Sequence, residues 1–117
     1  MKTNHLALPV IGPTARTLGV RPNVDLPVED GQVFPGTGGL SVAPDDYQNL
    51  PEHRRPPSLG GTGKDSVWAL DVACLTSHLQ FRQDQPNHGL LEPRSAMSLD
   101  EFQSALADTV NHWSRIK

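Results

Sequence analysis

Leu79-Gln80-Phe81-Arg82-Gln83-Asp84 and, a short connection later, Gly89-Leu90-Leu91-Glu92 decide how this chain reads. In the first stretch Leu79 and Phe81 fall on one face of a period-two pattern, the mark of a half-buried strand, and the second is a short apolar run opened by glycine. Upstream, Ser66-Val67-Trp68-Ala69-Leu70-Asp71-Val72 alternates in the same way, and Gly39-Leu40-Ser41-Val42 is a shorter candidate. Four such runs predict a small antiparallel or mixed sheet. Residues 72–79 allow a second reading, a short helical turn, because Val72, Leu75 and Leu79 also share a helical face.

After the strands the period changes. Ser98 can cap a helix while Glu101 reaches back to it, and Met97 can pack on Phe102 as a hydrophobic staple. A helix from about Leu99 to Arg115 follows, with Phe102, Leu106, Val110 and Trp113 as its apolar stripe and Arg115 and Lys117 complementing its dipole. Each buried member of that stripe contributes roughly 1.5–3 kcal/mol and the cap about 1 kcal/mol, so burial decides whether the helix persists. The fold class is therefore α+β, a small sheet core with a C-terminal helix and long Pro/Gly-rich loops.

A chain of 117 residues makes one domain, burying roughly two thirds of the surface that its unfolded form exposes. Three segments divide it: an extended proline-rich arm over residues 1–30, sheet and loops over 31–97, and the C-terminal helix over 98–116. Pro9, Pro13, Pro22, Pro27 and Pro35 remove backbone donors early in the chain, although Val24, Leu26 and Val28 could form an edge strand, where proline is tolerated. Residues 43–66 hold Pro44, Pro51, Pro56 and Pro57, and so long a loop in a small domain is more often functional or mobile than idle.

A net charge of −3 and a pI near 5.9 leave no broad basic footprint for nucleic acid. The one cysteine, Cys74, excludes an internal disulfide and sits among Val72, Ala73 and Leu75 as a small core hydrophobe. Leu6 to Ile11 superficially resembles a signal peptide but is interrupted by Pro9 and Pro13, and no apolar run reaches the ~20 residues that span a bilayer. These features fit a cytoplasmic protein, or one delivered without a cleaved leader.

Two glycine knots, Gly36-Thr37-Gly38-Gly39 and Gly60-Gly61-Thr62-Gly63, suggest backbone shaped around a ligand. The second is not a phosphate-binding P-loop, because Ser58 stands where the first glycine belongs and Asp65 where Ser or Thr must follow Lys64. Neither knot lies between a strand and a long helix, as a dinucleotide fingerprint requires. His88, at the junction of loop and strand, can move a proton near neutral pH or serve simply as a hydrogen-bonded strand-edge residue. Glu92, four positions on and on the same face, can stabilise a cationic transition state or act as a base, or be an exposed surface carboxylate. His5, His53, His78 and His112 are scattered, so no metal site is expected. Ser41 lacks a nucleophile elbow and suits hydrogen bonding to a nucleotide or ribose.

Taken in order, Pro35-Gly36-Thr37-Gly38-Gly39-Leu40-Ser41-Val42, then Leu79 to Asp84, then His88 through Pro93 to Met97, then a helix closing on Trp113, resembles the small ADP-ribosyltransferase-like toxins delivered by type VI secretion systems. The resemblance runs from roughly Gly31 onward and departs at Leu40, where a hydroxyl residue is usual. It implies a split β-sheet core around a nicotinamide-nucleotide cleft, NAD as the consumed cofactor, action in the cytoplasm of a recipient bacterium, and a cognate immunity protein as partner. Gly38, Gly39 and Ser41 would line the nucleotide site, with His88 at its edge and Glu92 facing the oxocarbenium-like state. The common transferase triads also use an early Arg or His and a late Glu, for which Arg16 and Glu92 are available. An alternative of a different class is a non-catalytic partner-binding module of the same fold, using His53, Arg54, Arg55, Pro56 and Pro57 as its contact surface. A small nuclease using His53 or His88 with Arg82 is a third.

Overall fold

Among the described residues, alternation along the chain produces seven short strands in three separate antiparallel sheets. The computed structural model of the protein describes residues 1–116. β1 (Gln32–Val33) pairs with β6 (Met97–Ser98), and β3 (Val67–Leu70) pairs with β7 (Trp113–Ile116). The central sheet has the order β2-β5-β4, formed by Leu40–Val42, His88–Pro93 and Leu79–Gln85. With one helix, α1 (Leu99–Ala107), this is the expected small α+β architecture with a split sheet.

Register explains which residues of the central sheet go inside. Leu91 lies opposite both Leu40 and Phe81, and Leu79 lies opposite Pro93. Cross-strand partners point to the same face, so these side chains form one apolar layer. It packs with Leu18, Val20, Leu26, Val33, Met97, Phe102, Leu106 and Trp113 into a single core. The opposite face carries Ser41, Gln80, Arg82, Leu90 and Glu92.

The C-terminal helix is shorter than its stripe predicts. α1 covers nine residues and stops at Ala107, and Trp113 belongs to β7 instead of closing the helix. Three local effects end it. Asp108 is an unfavourable charge at a helix C-terminus, Thr109, Val110 and Asn111 are weak helix formers, and the Thr109 hydroxyl turns back on the helix. That hydroxyl donates to Leu106 O at 2.7 Å and accepts from Trp113 Nε1 at 2.9 Å, which places the indole in the core. The N-terminus keeps one arm of the expected capping box: Ser98 Oγ accepts from Glu101 N at 3.0 Å, and Met97 and Phe102 are both buried.

The first thirty residues are not an arm. They contain isolated bridges, such as Ile11 with Leu18, and they deliver Leu18, Val20 and Leu26 to the core. Gln103 of α1 fastens this segment: its side chain accepts from Val20 N at 3.0 Å and donates to Val20 O at 2.8 Å. A side-chain amide thus replaces the strand partner that prolines deny to this stretch. The Val24, Leu26, Val28 alternation makes no strand, because Asp25 accepts from Arg21 N and pairs with its guanidinium, turning the chain and leaving Val24 exposed.

Two further expectations change. Residues 72–74 form a 3-10 turn capped by the Asp71 carboxylate, and this turn leaves Cys74 exposed, not buried. The long loop holds three 3-10 turns and is folded around Arg55, whose side chain donates to Leu50 O at 3.1 Å and Leu59 O at 2.8 Å. Gly61 and Gly63 fit against the backbone of Arg55 and His53, so the second glycine knot closes on its own loop.

Candidate functional site on the polar face of the central sheet

Glu92 is the only charged residue buried among the described residues, at 1 % exposure. Gln80 lies directly opposite it on β4, and Arg82 is the next residue on the same face. Gln80 Nε2 donates to Oε1 at 3.0 Å, Arg82 Nε lies 3.1 and 3.0 Å from the two oxygens, and Gly36 N donates to Oε2 at 2.9 Å. A buried charge needs such partners, since desolvation of an unpaired carboxylate costs several kcal/mol. Burial pushes the Glu92 pKa up, but the Gly36 amide, Arg82 and Gln80 outweigh it and hold the carboxyl below its ordinary value of 4.5. The carboxylate is therefore ionised at neutral pH and ties the first glycine knot to the central hairpin.

The sign of that shift gives a measurable consequence. A carboxyl whose folded pKa is depressed stabilises the protein above its unfolded pKa and loses that contribution as pH falls through the folded value. Stability should hold above about pH 5 and decline in more acidic solution, and Glu92→Gln should flatten the decline. Urea unfolding between about pH 3 and pH 7 tests this, with equal slopes in both proteins as the contrary result.

His88 opens β5, and its Nδ1 lies 2.6 Å from Asp84 Oδ1. The hydrogen bond with His88 is the main cause that lowers the Asp84 pKa, against the effect of desolvation. Ser41 is exposed on β2 opposite Leu90, on the same face. Ser41, His88 and Glu92 thus share one face, as do Arg82 and Gln80, which the sequence reading did not place beside Glu92. Their signal was available: Gln80 and Arg82 alternate with Leu79 and Phe81, so they must point away from the core.

Other expected site residues are placed differently. Gly38 and Gly39 are buried against the backbone of Asp25, Leu26 and Leu91, so their α-carbons are approached by the chain itself. Arg16 is engaged elsewhere, in a two-pronged pair with Asp65 at 2.7 Å. Two shallow depressions flank α1, about 340 Å³ beside His78 and Ser104 and about 290 Å³ between Ile11 and Leu99, and neither includes Ser41, His88 or Glu92. No helix among the described residues is long and apolar enough to cross a membrane.

A sequence model of the Tse2 ADP-ribosyltransferase toxin family matches residues 6–114. The chain belongs to this family. The match reaches further toward the N-terminus than the motifs that first suggested the kinship, and it takes in the core-forming segment held by Gln103 as well as the first half of β7. Membership in the Tse2 family therefore rests on nearly the whole folded unit. No curated protein and no solved structure matches the chain.

Proposed function

We propose that the protein is an NAD-consuming ADP-ribosyltransferase toxin whose site is the polar face of the β2-β5-β4 sheet. The family match supports the reaction class. The observation that carries the location is the buried, ionised Glu92 on the same face as Ser41 and His88. The residues fit a dinucleotide. Arg82 uses only its Nε on Glu92, is 38 % exposed, and has two further nitrogens for a diphosphate, while the Ser41 hydroxyl suits a ribose.

NAD supplies an ADP-ribosyl group whose ribose C1′ becomes cationic as its bond to nicotinamide breaks, the bonding pair leaving with the nicotinamide. The chain's own groups do the rest. Turning the Arg82 guanidinium onto the diphosphate exposes Glu92, whose negative charge then opposes the positive charge at C1′. Ser41 orients the ribose. His88 takes the proton from the attacking hydroxyl at Nε2, whether that hydroxyl belongs to a macromolecule or to water. Delivery by a type VI system, action in a recipient cytoplasm and inhibition by an immunity protein belong to the same proposal.

Calorimetry with NAD on wild type and His88→Ala, with circular dichroism as the folding control, tests the reading. NAD turnover should fall about 100-fold in His88→Ala and also in Ser41→Ala, without a change in Tm. Equal turnover in both variants would remove them from the site. The closed state of Glu92 favours a second reading, a non-catalytic partner-binding module of the same fold. A well-folded wild type that binds no NAD but captures one protein tightly would establish it.

A further inference from the structure

We propose that Asp84 is the positioning residue of His88, fixing the imidazole tautomer so that Nε2 presents its lone pair to the open face. The inference rests on the proposed role of His88 and extends it to a residue that makes no contact with substrate.

The pairing of β4 with β5 is regular from Leu79↔Pro93 through Gln83↔Gly89, then shifts, so that Gln85 becomes the partner of His88. Asp84 is the residue left over in that bulge. A β-bulge re-aims a side chain and increases local twist. Here it brings Asp84 Oδ1 to 2.6 Å from His88 Nδ1 at the end of a hairpin, where neither group is needed for burial: the side chains are 27 % and 37 % exposed. Without the bulge the two residues would be direct cross-strand neighbours, with no offset to direct the carboxylate at Nδ1 instead of the ring face.

A carboxylate accepts only, so the proton between them sits on Nδ1 and the neutral ring carries its lone pair on Nε2. This is the orientation that a proton acceptor at Nε2 requires. A free imidazole has no such constraint, and in the other tautomer Nε2 bears a proton and cannot take one from a hydroxyl. Arg82, two residues before Asp84 on the same strand, also lowers the Asp84 pKa. Charges along this face therefore alternate from Glu92 through Arg82 to Asp84.

The test combines ¹⁵N NMR of the imidazole with steady-state NAD turnover of Asp84→Ala, Asp84→Asn, His88→Ala and the Asp84→Ala/His88→Ala double variant. Wild type should show the Nδ1–H tautomer, Asp84→Ala should lose it, and Asp84→Asn, whose amide oxygen still accepts, should keep most of it. In Asp84→Ala kcat should fall about tenfold with KM unchanged, and the double variant should be no slower than His88→Ala. An unchanged tautomer in Asp84→Ala, or independent losses that multiply in the double variant, would overturn the positioning role while leaving His88 in the site. Full activity of His88→Ala would instead overturn the reading beneath it, and the positioning role with it.

Discussion

Alanine at Gly39 is expected to leave the protein largely unfolded, with a loss of about 4 kcal/mol or more. A Cβ there would overlap the Leu91 carbonyl oxygen and crowd Glu92 Cα. These atoms belong to β5, the middle strand of the central sheet, so they cannot withdraw without breaking the pairing on both sides. Gly38→Ala meets the same obstacle at Asp25 O and Leu26, and adds the strain of a φ of +152°. Against a total stability of about 5–15 kcal/mol, either loss is a large fraction. Gly36→Ala is the contrast: nothing lies within 4 Å of its Cβ, and only its φ of +79° opposes the change. It should cost about 1 kcal/mol and keep the amide that holds Glu92. Urea unfolding of the three variants separates these cases, and a Gly39→Ala protein as stable as Gly36→Ala would overturn the packing argument.

That contrast also shows where a sequence can mislead. Glycine clusters look the same whether a ligand or the chain's own backbone approaches them. In the first knot Gly38 and Gly39 serve internal packing, and only Gly36 stands open, offering its amide to Glu92. The second knot closes around Arg55. Strand alternation was a better guide, because the residues of β2, β3, β4 and β5 need only their own period to choose a face. Helix length was not legible to the same degree. Phe102, Leu106, Val110 and Trp113 keep helical spacing, but the last of them is drawn off by Thr109 and by β3, whose Leu70 pairs with it across the sheet, a tertiary competitor that no local pattern reports. The N-terminal segment was hidden for a related reason: its partner is a glutamine on α1, not another strand.

Within the candidate site, the shared face of His88 and Glu92 follows from their spacing on one strand. The burial of Glu92 does not, since an isolated glutamate is ordinarily exposed. It becomes stable only when register sets Gln80 opposite, Arg82 one diagonal step away and the Gly36 amide above the carboxylate. Asp84 escaped notice because a bulge is a backbone event, and nothing in Gln83-Asp84-Gln85 announces it.

Glu92→Ala should destabilise the protein by about 3 kcal/mol. Removing one partner of a buried ion pair costs roughly 3–5 kcal/mol when the other is trapped. Arg82 is 38 % exposed and can turn to water, which places the expected loss at the lower end. The substitution also frees Gly36 N, so the glycine knot should lose its attachment to the hairpin and exchange its amide hydrogens faster. Glu92→Gln keeps one oxygen as acceptor but turns an amide nitrogen toward Arg82 or Gln80, so it should fall between alanine and wild type. Thermal unfolding ranks the three proteins, and hydrogen exchange at residues 34–39 reports the knot. If the variants match wild type in both, Glu92 is not the anchor of this face. If Glu92→Gln is folded at the assay temperature and has lost NAD turnover beyond what its stability explains, the carboxylate serves chemistry as well as architecture, and the closed arrangement with Arg82 is the resting state from which substrate releases it.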